Sequence, residues 1–179
     1  MTIADFSGLT KKRPEKSLVK GKKRTSGRDH KGRVSVRHRG GGHKRLLRDV
    51  DFSQIRKFGV PATVRAIEYD PNRSARLALI QYIDGSKSYV LAPEGLVIGD
   101  SIVSGERTKA KLGNRMQLQH IPVGFKIYNI EVQIGQGGQI VRSAGTSAVL
   151  VGLDGDHAIL QLPSSEIRKV RKECMATIG

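Results

Sequence analysis

From Val60 onward the chain alternates short β-rich runs with turn residues. Thr63–Tyr69 (TVRAIEY) and Arg76–Ile83 (RLALIQYI) predict two strands. They are joined by Asp70-Pro71-Asn72-Arg73-Ser74, where proline fixes φ and Asp and Asn favour a tight turn, so the pair predicts a hairpin. Asp84-Gly85 marks a second turn ahead of Lys87–Leu91, and Ser101–Val103 follows Gly99-Asp100. Further strands are expected at Lys126–Gln133, Ala148–Val151, His157–Leu162 and Glu166–Val170, with turns at Asp154-Gly155 and Pro163-Ser164. A last strand is expected around Ala176–Ile178, where it seals the edge of the second unit. No long stretch carries a helical period, so the fold class is all-β. Closed barrels remove exposed strand edges in small β domains. The 119 residues from position 61 exceed one five-stranded barrel, and Ile121-Pro122-Val123-Gly124 interrupts pairing. Two barrels in series are therefore expected, at residues 60–122 and 123–179, after an irregular extension at residues 1–59.

Charge separates the extension from the rest. Residues 1–60 hold 18 Lys and Arg against 5 Asp and Glu, whereas residues 61–179 hold 14 against 11. A net charge of +16 calls for a polyanion, since a free globular protein would repel itself. The stretch Lys11–Lys31 has too little apolar surface to fold alone and is expected to order on phosphates. No run approaches the roughly 18 apolar residues of a membrane helix. The first residues, Met1–Gly8, include Asp5 and lack the apolar segment of a secretory signal or the Arg-rich character of an organelle presequence. The single cysteine, Cys174, forms no internal disulfide and reads as a small buried residue.

The densest chemistry lies at Arg37-His38-Arg39-Gly40-Gly41-Gly42-His43-Lys44-Arg45, with Arg33 and Arg48 on its flanks. Consecutive glycines adopt φ > 0, let a partner approach the backbone and point N–H groups at phosphate oxygens. Arginine adds forked contacts and lysine a point charge. No phosphate-loop pattern G-x-x-x-x-G-K-[ST] occurs, and His38 and His43 lack zinc-finger spacing, so no metal or other cofactor is expected. A second small-residue stretch runs from Gly135 through Arg142, Ser143, Gly145 and Thr146; a tight loop between strands has the same composition. With four Phe, four Tyr and no Trp, a nucleic acid would be read through phosphates, sugars and shape rather than by stacking. No nucleophile elbow or paired acid–base spacing marks an enzyme.

Six segments occur in a familiar order: RHRGGGHKR at residues 37–45, EYDPNRS at 68–74, LAP at 91–93, IPVG at 121–124, RSAGTSA at 142–148 and ATIG at 176–179, with PEKSL at 14–18 ahead of them. Together they make the chain resemble the universal large-subunit ribosomal protein numbered two, in its bacterial or organellar form, over nearly its whole length. The resemblance implies an OB-fold barrel followed by an SH3-like barrel behind the basic extension. It implies a structural, non-catalytic binder of large-subunit rRNA that supports assembly and subunit association and approaches the peptidyl transferase centre. The implied rRNA contacts are Arg37, His38, Arg39, Gly40, Gly41, Gly42, His43, Lys44, Arg45, Arg73 and the loop from Arg142 through Ser143 and Gly145 to Thr146, and the flanking Arg33 and Arg48 are expected to join them. Neighbouring ribosomal proteins are the other expected partners, with no membrane and no homo-oligomer. The family's arm starts earlier and its C-terminal extension continues further. Either a separate polypeptide carries that extension, and is then a further expected partner, or the extension has been lost, and a mitochondrial matrix ribosome is favoured over a bacterial or plastid one. A non-ribosomal OB-fold module, such as an RNA chaperone or translation factor, is the alternative; a peptidyl-transferase helper enzyme is a third.

Overall fold

The computed structural model of the protein describes residues 6–10, 13–22 and 26–179. Within these, strands dominate and the only helical elements are single turns at Lys16–Leu18 and Leu118–His120. Two short strands of the extension, β1 (Val19–Gly21) and β2 (Leu46–Arg48), pair antiparallel. The first domain sheet contains β3 (Ala62–Glu68), β4 (Leu77–Tyr82), β5 (Lys87–Leu91) and β6 (Ser101–Ile102), in the order β5-β4-β3-β6. The second contains β7 (Arg115–Gln117), β8 (Lys126–Tyr128), β9 (Ala148–Asp154), β10 (His157–Gln161), β11 (Ile167–Arg171) and β12 (Met175–Ile178), in the order β11-β10-β9-β8-β12-β7.

Chain connectivity forces the second sheet to curl. β11 and β12 stand four strand positions apart, about 19 Å in a flat sheet. The link from Arg171 to Met175 spans at most about 14 Å. The sheet closes round a core that includes Met116, Leu118, Ile127, Ile130, Leu150, Leu160 and Val170. Cys174 belongs to this core, and burial pushes its thiol up to about 11, which makes it inert at neutral pH.

In the first sheet, β4 is buried on both faces, which explains its unbroken apolar run. Ala78, Ile80 and Tyr82 face the inner core with Val64, Val90 and Ile102. Leu77 and Leu79 face a second cluster with Tyr89 and Leu91, joined by Leu18, Val50 and Phe52 from the extension and Tyr128 and Val141 from the second unit. A register shift between Val64 and Ala66 turns β3 over, so Ala66 joins this second cluster. One face of β4 thus welds the extension and the second barrel to the first.

Several expectations are corrected. The run at 126–133 is one strand only as far as Tyr128: Asn129 takes φ 50° and Ile130 bridges Ile140 across a loop. β7 had no sequence signal, and although it precedes Pro122 it pairs with β12 in the second sheet. Sheet membership therefore differs from a division at residue 122. Part of Lys11–Lys31 is docked and not free: the Tyr89 hydroxyl accepts the Glu15 N–H at 2.9 Å and donates to Glu68 at 2.7 Å, while Lys87 pairs with Glu15 at 2.7 Å. Within that stretch, Lys11, Lys12, Lys23, Arg24 and Thr25 lie outside the described residues.

Candidate nucleic-acid interface

Between β1 and β2 the extension makes a long excursion whose base is a compact turn. The Asp29 carboxylate accepts the N–H groups of Lys31 and Arg33 at 2.9 and 2.8 Å, and Arg28 bridges to Val34. The Gly27 carbonyl accepts the N–H groups of Ser35 and Val36. A Cβ on Gly27 would fall 2.2 Å from the Val36 carbonyl oxygen, so this turn requires glycine.

Beyond the turn every residue from 31 to 47 is exposed. Lys31, Arg33, Arg37, Arg39, Lys44 and Arg45 lie in this run, and among the described residues none has an acidic group within ion-pair distance. His38, Gly40, Gly41 and Gly42 take φ of 57°, 115°, 67° and 74°. The expected left-handed backbone is thus present where the cations are densest. Like charges so close repel one another unless anions neutralise them.

A built-on Cβ at Gly41 meets nothing within 4 Å, so φ alone resists substitution there. A β-branched residue at that φ costs about 1–3 kcal/mol. The exposed segment can relax to another backbone in the free chain, so the cost falls on binding: Gly41→Val is expected to weaken RNA binding roughly tenfold or more while leaving the thermal unfolding midpoint nearly unchanged. Filter binding beside a melting curve checks this. Unchanged affinity would make the segment a basic tether whose backbone shape is irrelevant.

The other expected contacts gather at the junction of the extension and both barrels. The β3–β4 turn brings Asn72, Arg73 and Ser74 beside Arg142 and Ser143, and with Phe52 they line an open recess of about 450 Å³. The Arg142 guanidinium lies 4.6 Å and that of Arg73 5.5 Å from the centre of the Phe52 ring. Arg142 also donates to the Gly138 carbonyl at 3.3 Å, and the Ser74 hydroxyl accepts the Ala144 N–H at 3.2 Å. Gly145, at φ 70°, and Thr146, whose hydroxyl donates to the Ser143 carbonyl at 2.7 Å, shape the tip of the same loop. Arg45 donates to the Pro71 carbonyl at 3.2 Å and Asn72 to the Leu46 carbonyl at 2.7 Å, tying the end of the excursion to the turn.

Asp70 organises this junction. It is fully buried, with Arg73 at 2.7 Å and Arg48 at 3.7 Å. Arg48, a candidate rRNA contact, thus has a mostly buried side chain turned towards Asp70. Burial raises the Asp70 pKa, but hydrogen bonds from Arg73 and Asn72 outweigh it and hold the group below its ordinary 3.8. Its contribution to stability is complete above that value and fades as pH falls through the lower folded value. Asp70→Asn is therefore expected to destabilise at neutral pH, with the gap from the parent closing below about pH 4. Parallel urea titrations at pH 7 and pH 3 measure it; a gap independent of pH would contradict a charge role.

Sequence reasoning missed Phe52 and Asp70 as organisers. The scarcity of aromatics was the one available hint for Phe52, but nothing local connects it to Arg73 or Arg142. It also missed Arg115, wholly buried and paired with Glu131 at 3.0 Å.

A family model described as Ribosomal Proteins L2, RNA binding N-terminal domain, matches residues 15–104, and one described as Ribosomal Proteins L2, C-terminal domain, matches residues 111–179. The chain belongs to the ribosomal protein L2 family. Membership makes it an rRNA-binding protein of the large ribosomal subunit, with an OB-fold and an SH3-like domain. It bears out the resemblance read from the ordered motifs. It also favours a structural protein over an enzyme, and a ribosomal one over a free-standing RNA chaperone or translation factor. The excursion, the Asp70 junction and the Phe52 recess all fall within the two matched stretches.

Proposed function

We propose that the chain fastens large-subunit rRNA at two places, and so supports subunit assembly, subunit association and the architecture around the peptidyl transferase centre. The excursion, with Arg33, Arg37, His38, Arg39, Gly40, Gly41, Gly42, His43, Lys44 and Arg45, threads along phosphates. The recess, with Arg73, Arg142, Ser143, Gly145 and Thr146, holds a second stretch of backbone against the barrels. The observation that carries this reading is the wholly exposed run from 31 to 47, with six cations outside any ion pair among the described residues. Of the six, Arg45 donates a hydrogen bond to another segment, at the Pro71 carbonyl 3.2 Å away, and no acidic group neutralises any of them among the described residues. The division that goes with this reading is an extension at 1–59, a first barrel from residue 60 to the loop that links β6 to β7, and a second barrel beyond. Neighbouring ribosomal proteins pack around a single copy.

Binding through this many phosphates releases condensed counterions. Affinity of the full chain for large-subunit rRNA is expected to fall on the order of 10³-fold or more between 50 and 200 mM salt. Filter binding across that range tests it, and a nearly flat response would remove the basis of the proposal.

A further inference from the structure

The loop from Gly105 to Gly113, between β6 and β7, carries Arg107, Lys109 and Lys111 within five residues, all exposed. Its residues 105–110 lie between the two family-matched stretches. Elsewhere on the second barrel several cations are paired, although exposed Lys126 and Arg168 have no ion pair among the described residues. Lys169 meets Asp154 at 2.7 Å, Lys172 meets Asp156 at 2.9 Å, and Arg171 meets Glu173 at 4.0 Å. In the loop, Lys111 reaches Asp100 at 3.6 Å, whereas Arg107 and Lys109 have no acidic partner within that range among the described residues. Even Glu106, next in sequence to Arg107, forms no ion pair with either.

The loop is held in shape. Buried Asn114 spans it, accepting the Val103 N–H at 2.9 Å and donating to the Lys109 carbonyl at 3.0 Å. The Glu106 carbonyl accepts the Gln117 N–H at 3.2 Å, the Gly105 N–H donates to the Arg115 carbonyl at 3.0 Å, and the Gly113 N–H donates to the Ile178 carbonyl at 2.9 Å. Gly113 sits at φ 84°, where a Cβ would press to 2.8 Å from Ile102. Two like-charged side chains thus leave a braced backbone two residues apart, which lowers the part of the entropy cost of a contact that comes from ordering the loop. The loop offers no exposed aromatic or large apolar side chain, and its only leucine, Leu112, is half-buried. A protein interface needs such anchors at its centre; a phosphate backbone needs only placed cations.

We propose that this loop is a further contact for the rRNA phosphate backbone, with Arg107 and Lys109 each meeting a phosphate of a segment other than those held by the excursion and the recess. The inference rests on the rRNA-binding reading above. The test uses the full chain and naked large-subunit rRNA. The double variant Arg107→Ala/Lys109→Ala is expected to flatten the slope of log affinity against log salt by about 2, which shrinks the affinity drop between 50 and 200 mM salt roughly tenfold. Lys169→Ala/Lys172→Ala, which removes cations already paired, is expected to leave the slope unchanged. If Arg39→Ala lowers the slope and the loop variant does not, the loop proposal is overturned and the rRNA reading stands. If neither lowers it, both fall. A second measurement uses the burial of Cys174, the only cysteine. An iron chelate on Lys109→Cys is then the single reactive probe and should cut rRNA at positions distinct from those cut from Arg39→Cys. Cleavage confined to neighbouring proteins in the assembled subunit would overturn the proposal in favour of an acidic protein partner.

Discussion

Glu131→Ala is expected to cost the fold about 3–5 kcal/mol, read as a lower urea midpoint at unchanged slope. The Arg115 side chain is fully buried and spends its guanidinium on four acceptors: the Ser53 carbonyl at 3.1 Å, the Asn129 carbonyl at 2.7 Å, the Thr177 hydroxyl at 3.3 Å and the Glu131 carboxylate at 3.0 Å. Glu131 also accepts the N–H groups of Gly137 and Met175, both at 3.1 Å. Burial pulls the Arg115 pKa down and Glu131 opposes this, but an arginine stays charged in either case. Removing the carboxylate therefore strands a buried cation and two backbone donors. Arg115→Met combined with Glu131→Leu is expected to recover part of the loss, because no charge is then buried alone. Recovery stays partial, since the backbone groups of Ser53, Asn129, Gly137 and Met175 still lack their partners. A loss below about 1 kcal/mol for Glu131→Ala would mean that water reaches the site and the network is not the clasp it looks.

That network also marks where the sequence stopped being informative. The β3–β4–β5 meander was legible because its turns, Asp70-Pro71 and Asp84-Gly85, are local and its runs have strand length. β7 was not, because Arg115-Met116-Gln117 is short and its partner β12 lies some sixty residues away. The run at 126–133 alternates like a strand, yet the chain turns at Asn129 to deliver Glu131 to Arg115. The pairing of β1 with β2 crosses 24 residues of glycine-rich, basic chain without a turn signal at either end. At the interface, the glycines of residues 40–42 announced their backbone geometry, because only φ > 0 makes such a run useful. Phe52 and Asp70 gave no such notice: their importance lies in which distant arginines fold against them. The same holds for Arg48, which stands 3.7 Å from buried Asp70 although 22 residues separate them in the chain.

Arg73→Ala/Arg142→Ala is expected to reduce affinity for large-subunit rRNA on the order of 10²-fold or more, since a hydrogen bond to a charged group contributes about 1.5–3 kcal/mol. The two guanidiniums stand beside one aromatic ring at the mouth of the recess, so their positions are set before any RNA arrives. The single variants separate two roles. Arg142→Ala removes an exposed side chain whose hydrogen bond in the protein goes to a carbonyl at 3.3 Å, so it should weaken binding with little effect on stability. Arg73→Ala also strips buried Asp70 of its closest cation, leaving Arg48 at 3.7 Å, so it should lose stability as well. Phe52→Leu supplies the sharpest contrast. It keeps every charge and most of the apolar volume but removes the ring that holds both cations, worth about 0.5–1 kcal/mol per contact. Its expected result is a several-fold loss of affinity with the salt slope unchanged, because the number of phosphate contacts is the same while the part of their preorganisation that the ring supplies is gone. A Phe52→Leu chain that binds as tightly as the parent would show that the ring merely fills space and that the two arginines find their phosphates without it.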